Sequence, residues 1–475
     1  MKILFTHSYF LKFDKKEYKS MMPYLPLGTL YAAAFLKSKN YEVELFDSML
    51  EDSEENIFFH LQKFKPKYLV IYDDDFNYLT KMCLERMRLA AFKMSEIGKK
   101  FGCIVIIHSS DSADNIEKYI ENKVDYVIFG EGEDTLLEAI EFLEKKSTKK
   151  LNEIDGIAFK ENNIIVKNQK RKVKINIDDF PFPLREIANL NLYKEQWIKK
   201  YKYFSMNIVT TRGCPFHCNW CAKPIYGQVY NSRSPKNVVE EIKFLKEKYE
   251  PNHIWFCDDI FGLKPNWVQE FSEIIEKENA KIPFKCLSRA DLLLKNNTID
   301  ALHKSGCDSV WIGAESGSQK ILDAMEKGIT VEQIYEATKK LKEKKIKVGF
   351  FLQFGYLGET KNDIEKTFEM VKNCMPNEIG VSVSYPLPNT KFYDIVKEEM
   401  QTQKNWFDSQ DLAMMFHGTY ETRYYRHLHK LIHKKFRVWK GVQNFVSFRN
   451  ALSMIYHFVT IPNAVRKLNK FGQKK

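Results

Sequence analysis

Residues 210–224 read TTRGCPFHCNWCAKP, and three of the chain's nine cysteines, Cys214, Cys218 and Cys221, fall inside this one segment. Thiolate sulfur is a soft donor suited to zinc or to iron–sulfur clusters, and a C-x3-C-x2-C spacing on a tight loop can aim three sulfurs at one centre. A structural zinc asks for four ligands; His217 lies inside the loop, but no second pair of Cys or His follows at finger-like spacing. A zinc knot and inert buried thiols are the alternatives. The other six cysteines are far apart and the total is odd, so a reducing cytosol is expected and a secreted disulfide framework is not. Cys257, Cys286, Cys307 and Cys374 sit in apolar contexts and are expected to be packing residues.

What flanks the loop decides the fold. Short apolar runs recur at NIVTTRGC, HIWFCDD, FKCLSRA, SVWIGAES, VGFFLQFG and IGVSVSYP, each followed by a helical pattern such as PKNVVEEIKFLKEKY. Six such units make most of a barrel, over 201–397, and a barrel carries its chemistry on the loops after its strands. The cysteines follow the first strand. Upstream, KILFTH, YEVELFD, YLVIYD, CIVIIH and VDYVIFG alternate with helical stretches over 1–150 and predict a doubly wound parallel sheet. Ligands of such sheets sit beyond the carboxyl ends of the strands, here at His7, Asp47, Asp73 to Asp75, His108 to Asp111 and Gly130 to Gly132. Residues 151–200 read as a hairpin with an Asn-Asn turn and a proline-punctuated connector, DDFPFPLRE. The expected class is α/β: a doubly wound sheet, a partial (β/α)6 barrel, and a helical C-terminal extension over 398–475.

With its aromatic Trp220 before the last cysteine, the loop resembles the signature of the radical S-adenosylmethionine superfamily, over 205 to about 395. The resemblance implies a 4Fe-4S cluster on Cys214, Cys218 and Cys221, with the fourth iron open to the amino and carboxylate groups of S-adenosylmethionine. Reduction of the cluster, by a donor such as flavodoxin or ferredoxin, would then release a 5'-deoxyadenosyl radical. The same resemblance places Asp258 and Asp259 at the methionine amino group, Arg289 at its carboxylate, Glu315 and Ser316 near the sugar and amino acid, and Gly355 where adenine approaches backbone.

The first domain resembles the cobalamin-binding class of that superfamily. YLPLGTLYAAAFLKSKNYEVELFD, with Gly28 and Thr29, is close to the helix start of those domains, and VDYVIFGEGEDTLLEAI, with Gly130, Glu131 and Gly132, to their Gly-Glu-Gly-Glu loop. A glycine loop opening a helix can bring backbone amides near a phosphate or amide group. No Asp-x-His-x-x-Gly motif is present, so no histidine is expected below cobalt. His108 and Ser109 stand where members of the class usually carry Gly-Gly-Pro, which leaves a purely structural first domain as the alternative.

The net charge of +12 is placed unevenly. Residues 411–475 hold thirteen Lys and Arg against Asp411 and Glu421, which accounts for +11 of it. The tail reads as helices mixing basic, aromatic and aliphatic residues. Two readings stand: a cap on the barrel with a solvated basic face, and a peripheral surface for anionic lipid. Nucleic acid ranks below both, for want of a binding module. No signal peptide and no run of eighteen apolar residues is found, so a cytoplasmic protein, peripheral at most at the inner membrane face, is expected. The combined expectation is a radical enzyme modifying an unactivated carbon of a small or lipid-like apolar substrate, by methylation with cobalamin. Radical cyclisation, as in enzymes resembling the anaerobic magnesium-protoporphyrin ester cyclase, C–C coupling, and a non-enzymatic metal-binding protein are the alternatives.

Overall fold

The computed structural model describes the backbone of residues 1–443 and 448–472; the side chains of 444–454 and residues 473–475 lie outside the described residues, and with them part of the tail. The first sheet has the order β2-β1-β3-β4-β5-β6-β7, from β1 (Lys2–Thr6), β2 (Glu42–Phe46), β3 (Tyr68–Tyr72), β4 (Ile104–His108), β5 (Tyr126–Ile128), β6 (Ile157–Glu161) and β7 (Ile164–Lys167). The first five pair in parallel. Their sequences are near-continuous apolar runs because both faces are covered. On one face Leu4, Leu69, Ile71, Val105 and Ile107 pack with α2 (Ile57–Phe64), α3 (Glu85–Lys100) and Tyr119 of α4 (Ile116–Glu121). The other face takes α1 (Leu27–Ser38), whose residues 27–36 are all buried, and α5 (Glu133–Leu143). This is the doubly wound arrangement expected.

The expected hairpin is present, turned by Asn162 and Asn163 with φ of 49° and 66°, the left-handed conformation that asparagine tolerates best after glycine. It does more than connect. β6 adds antiparallel to β5, so residues 157–167 extend the first sheet to seven strands.

A second sheet has the order β8-β11-β12-β13-β14-β15, from β8 (Ser205–Ile208), β11 (His253–Phe256), β12 (Phe284–Ser288), β13 (Cys307–Glu315), β14 (Lys347–Phe354) and β15 (Glu378–Val383). Pairing is parallel between β8 and β11 and throughout β12 to β15. The two-residue strands β9 (Thr211–Arg212) and β10 (Asn231–Ser232) form a separate antiparallel pair. Helices α6 (Pro235–Tyr249), α7 (Trp267–Lys277), α8 (Thr298–Ser305), α9 (Val331–Glu343) and α10 (Lys361–Cys374) follow the strands. Their starts are well encoded: Ser234 caps α6 ahead of a proline, and Thr330 with Gln333 and Thr360 with Asp363 form capping boxes on α9 and α10. This is the partial barrel read from the six apolar runs.

The chain divides into two compact units. The first comprises Met1–Pro215, Lys223–Asp259 and Asn405–Asp411; the second comprises Phe216–Ala222, Ile260–Lys404 and Leu412–Lys475. In the second unit the tail forms α11 (Thr422–Gln443) and α12 (Phe448–Phe471). Tyr424, Tyr425, Leu428, Leu431, Ile432 and Phe436 are the buried face of α11, a 3.6-residue stripe. The segment between 398 and α11 is mostly irregular, with a bridge between Met400 and Phe416, so the C-terminal helices begin later than the sequence reading has them.

Candidate functional site

The cysteine loop starts in the first unit. Gly213, at φ +85°, precedes Cys214; a Cβ there would lie 2.4 Å from the Val229 carbonyl oxygen, so this position excludes every side chain. The strand leading to it is held by Asp258, whose Oδ1 accepts from the Thr210 and Thr211 amides (2.7 Å each) and the Thr211 hydroxyl (2.9 Å), while Oδ2 accepts from the Thr210 hydroxyl (2.9 Å). Burial pushes this carboxyl up to about 6, against the pull of those four donors. Asp258 was expected at the methionine amino group; both its oxygens are committed to shaping the loop. Asp259 is exposed and pairs with Lys81 at 2.7 Å.

Arg212 is a second anchor that sequence reasoning missed. Its guanidinium, 3% exposed, bonds Glu131 at 2.6 Å and Glu133 at 2.5 Å and lies 4.0 Å above the Phe180 ring. Glu131 also accepts from the Lys174 amide at 2.7 Å. The Gly-Glu-Gly-Glu loop therefore spends its carboxylates on the segment that carries Cys214. The partners are some eighty residues apart, a separation that no local pattern reports.

The rest of the loop belongs to the second unit. Asn219 is its pin: its amide nitrogen donates to Met325 O (3.1 Å), its side chain donates to Ala324 O (2.8 Å) and accepts from Tyr356 Oη (2.9 Å), and its carbonyl accepts from the Phe392 amide (2.9 Å). Cys218 and Cys221, on either side, are partly exposed, and no cysteine is in a disulfide. Arg289, as expected, is close by: Nη1 lies 3.9 Å from Cys218 Sγ, its guanidinium stacks 3.8 Å from the Phe216 ring, and its other nitrogens bond Asp291 and Gly328 O. Lys327, buried, donates to Glu315 Oε1 at 2.8 Å. Burial lowers the lysine, but Glu315 and then Cys218 outweigh it, and its ammonium is held above the ordinary range.

Among the described residues no three His, Cys, Asp or Glu side chains are gathered for a single metal ion. A four-iron cluster makes a different demand, one thiolate per iron, and three cysteines outside any disulfide, with Arg289 and Lys327 beside Cys218, fit it. Glu315 sits at φ +56° on a bulge in β13. Ser316 faces inward, 3.2 Å from Thr367 Oγ1, and its oxygen accepts from the Ser318 amide. Gly355, at φ +80°, donates to Glu359 Oε2; a Cβ on it would stand 2.6 Å from Met414 Cε, so the tail already occupies that approach. Cys257, Cys286, Cys307 and Cys374 are buried, as expected of packing residues.

At the strand ends of the first sheet the loops after β1 and β3 are joined by Asp73, which accepts from the Ser8 amide (2.7 Å) and hydroxyl (2.9 Å). Gly28 donates to Asp74, and a Cβ on it would meet Asp75 N at 2.8 Å; the Thr29 hydroxyl donates to Tyr72 O. These two residues fasten α1 to β3. His108 fills the space over the glycine loop: it stacks on Tyr72 at 4.1 Å, Nε2 donates to Gly130 O at 2.8 Å, and a Cβ on Gly132 would touch both rings. Burial lowers His108 to about 4, so the ring is neutral. Burial, with Glu133 adding to it, raises Asp75. The buried Tyr72 Oη and His108 Nδ1 have no hydrogen-bond partner among the described residues, Asp75 Oδ1 being 3.6 Å from Nδ1. Two orphaned polar atoms at these strand ends fit an amide-bearing ligand.

With this geometry in view, residues 208–371 match the radical SAM superfamily model. Residues 208–371 thus form a radical SAM domain and the chain is an enzyme; proteins with this domain use a 4Fe-4S cluster and S-adenosylmethionine. It is 26% identical over 389 residues to an uncharacterized methyltransferase of Pyrococcus horikoshii, covering 80% of each chain. It is 28% identical to the anaerobic magnesium-protoporphyrin IX monomethyl ester cyclase of Synechocystis, over 48% of this chain and 44% of that one. To the hopanoid C-3 methylase of Methylococcus capsulatus it is 23% identical, over 80% of this chain and 70% of that one. In fold it is similar to the cobalamin-dependent S-adenosylmethionine radical enzyme OxsB, with a TM-score of 0.71 at 18% identity, over 98% of this chain and 71% of that one.

Proposed function

We propose that Cys214, Cys218 and Cys221 hold a four-iron cluster at which S-adenosylmethionine is reductively cleaved, and that the enzyme methylates an unactivated carbon of an apolar substrate with the help of cobalamin. The observation that carries the reading is Cys218, inside the matched region, beside Arg289 and Lys327. When bound, the cluster supplies the electron that converts S-adenosylmethionine to methionine and a 5'-deoxyadenosyl radical, and cobalamin supplies a methyl carrier.

The protein's own part is positioning. Asp258 and Arg212 fix the chain before Cys214, and Asn219 fixes it between Cys218 and Cys221. Arg289 and Lys327 are the cations beside Cys218. Arg289 is also the cation available to a methionine carboxylate, in the bidentate manner that guanidinium allows, and Asp259, less committed than Asp258, is the candidate for its amino group. Glu315 orients Lys327. For cobalamin the residues offered are Tyr72, His108 and the Gly130 to Gly132 backbone, with Gly28 and Thr29 supporting β3 from behind. The methylase and methyltransferase names among the relatives favour methylation over ring closure. An electron donor such as flavodoxin or ferredoxin and a small or lipid-like apolar substrate complete the reading. A peripheral contact of the tail with an anionic membrane stands beside this reading and is independent of it.

The test is anaerobic reconstitution with iron and sulfide, followed by reduction in the presence of S-adenosylmethionine. The expected result is release of 5'-deoxyadenosine, abolished by Cys214→Ala, Cys218→Ala or Cys221→Ala, and uptake of hydroxocobalamin with its visible absorbance. Undiminished release in any one of the three variants overturns the ligand assignment. Absence of cobalamin uptake overturns the second half alone.

A further inference from the structure

The two C-terminal helices hold eleven Lys and Arg and no Asp or Glu: seven in 422–443 and four in 448–471. α11 turns its apolar stripe inward, and α12 packs against α11. The inner side of α12 is marked by His457, 8% exposed and 3.2 Å from Arg437, and by the buried Leu468. Its other side is open. Ile455, Tyr456, Phe458 and Val459 are 52, 63, 65 and 67% exposed, four large apolar side chains within five residues. Scattered exposed hydrophobics need no account, but a contiguous exposed patch marks an interaction surface.

The same side continues into charge. Ile455, Val459, Arg466 and Lys470 stand at i, i+4, i+11 and i+15, one stripe of a 3.6-residue helix, and all four are exposed, as is Lys467. At 1.5 Å per residue this stripe runs about 22 Å, apolar in its first part and basic in its second. Lys434, 5.9 Å from the Tyr456 ring, borders the apolar part from α11. Among the described residues no helix is long and apolar enough to cross a membrane. A helix that dips its first part into the interface needs what α12 presents instead, aromatic and aliphatic side chains toward one end at acyl depth and cations toward the other at headgroup level.

We infer that the outward face of α12 is a docking surface for an anionic lipid bilayer, with Ile455, Tyr456, Phe458 and Val459 inserted and Arg466, Lys467 and Lys470 on the headgroups. The choice of occupant rests on charge complementarity: helices with eleven cations and no anion favour a negatively charged surface, and the apolar part favours one with a hydrocarbon layer, which nucleic acid lacks. This surface is separate from the catalytic reading and stands or falls without it.

The test is sedimentation of the full-length protein with vesicles of phosphatidylglycerol or of phosphatidylcholine. We expect co-sedimentation with the first, weakened by salt, and none with the second. Arg466→Glu with Lys470→Glu should weaken it by about 25-fold or more, since each basic side chain near such a surface is worth about fivefold. Tyr456→Ser with Phe458→Ser should release the protein even at low salt. All four residues are exposed, so circular dichroism is expected to be unchanged. Equal sedimentation of both double variants and the wild type overturns the inference. So does absence of vesicle binding together with a dimer that the serine variant splits, or with binding of RNA. Because the readout involves no turnover, a negative result here leaves the cleavage assay intact, and a failed cleavage assay leaves this one intact.

Discussion

The strand ends of the two sheets use their polar residues differently. At the first sheet, Asp73 is closed onto Ser8, Asp74 onto Gly28, Glu131 and Glu133 onto Arg212, and the neutral His108 onto Gly130. Nearly every motif residue there is satisfied by protein, while among the described residues Tyr72 Oη, His108 Nδ1 and Tyr9 Oη keep spare capacity. At the second sheet, Arg289 donates to the sulfur of Cys218 at 3.9 Å and Lys327 lies within electrostatic reach of it. The first set of strand ends is built mainly to hold chain; the second holds chemistry in reserve. A glycine-and-acid motif therefore says where a loop is, and the partners of its side chains say whether a ligand is awaited.

The comparison breaks most sharply at Arg212. Its replacement by methionine leaves Glu131 and Glu133 buried without their cation, at a cost of about 3–5 kcal/mol. Thermal melting should show a large loss, and a change below about 1 kcal/mol would mean that this network does not hold the cysteine segment.

A smaller effect, on chemistry rather than stability, is expected at Arg289. Side chains that support metal ligands typically contribute about 10–100-fold. Arg289→Met should lower 5'-deoxyadenosine release within that range, keep the iron content, and move the cluster potential negative, since a cation beside a cluster sulfur favours the reduced form. Unchanged potential would remove the cation from the account.

A pH-dependent effect is expected at Glu359, which is fully buried with Oε1 unpartnered among the described residues. Burial raises this carboxyl from 4.5 to about 8. The folded chain thus favours the protonated acid, whose stabilising contribution is full below 4.5 and is lost as the pH climbs through 8. Glu359→Gln, which cannot ionise, should gain on the wild type in melting temperature from about pH 5 to about pH 8.5. Parallel profiles of the two proteins would show that Glu359 does not titrate there.

Local signals carried the fold a long way. YLVIY is a strand because all five side chains are buried on a sheet covered on both faces, and Asn162-Asn163 is a turn because asparagine accepts positive φ. The three cysteines were legible because spacing and sulfur chemistry are properties of the segment itself. What local signals could not give were pairings across the chain. β6 joins β5 through edge hydrogen bonds that carry no side-chain code. Asn219 looks like any loop asparagine until Met325, Tyr356 and Phe392 close on it. Gly355 reads as an opening for a ligand, yet Met414, some sixty residues later, lies against it.

The most direct test of the central claim is electron paramagnetic resonance of the anaerobically reconstituted, reduced protein, recorded with and without S-adenosylmethionine. The expected result is the signal of a reduced 4Fe-4S cluster that changes on addition of S-adenosylmethionine, because three cysteines leave one iron open to it. A protein that takes up zinc and stays silent, or a cluster whose spectrum ignores S-adenosylmethionine, would contradict it.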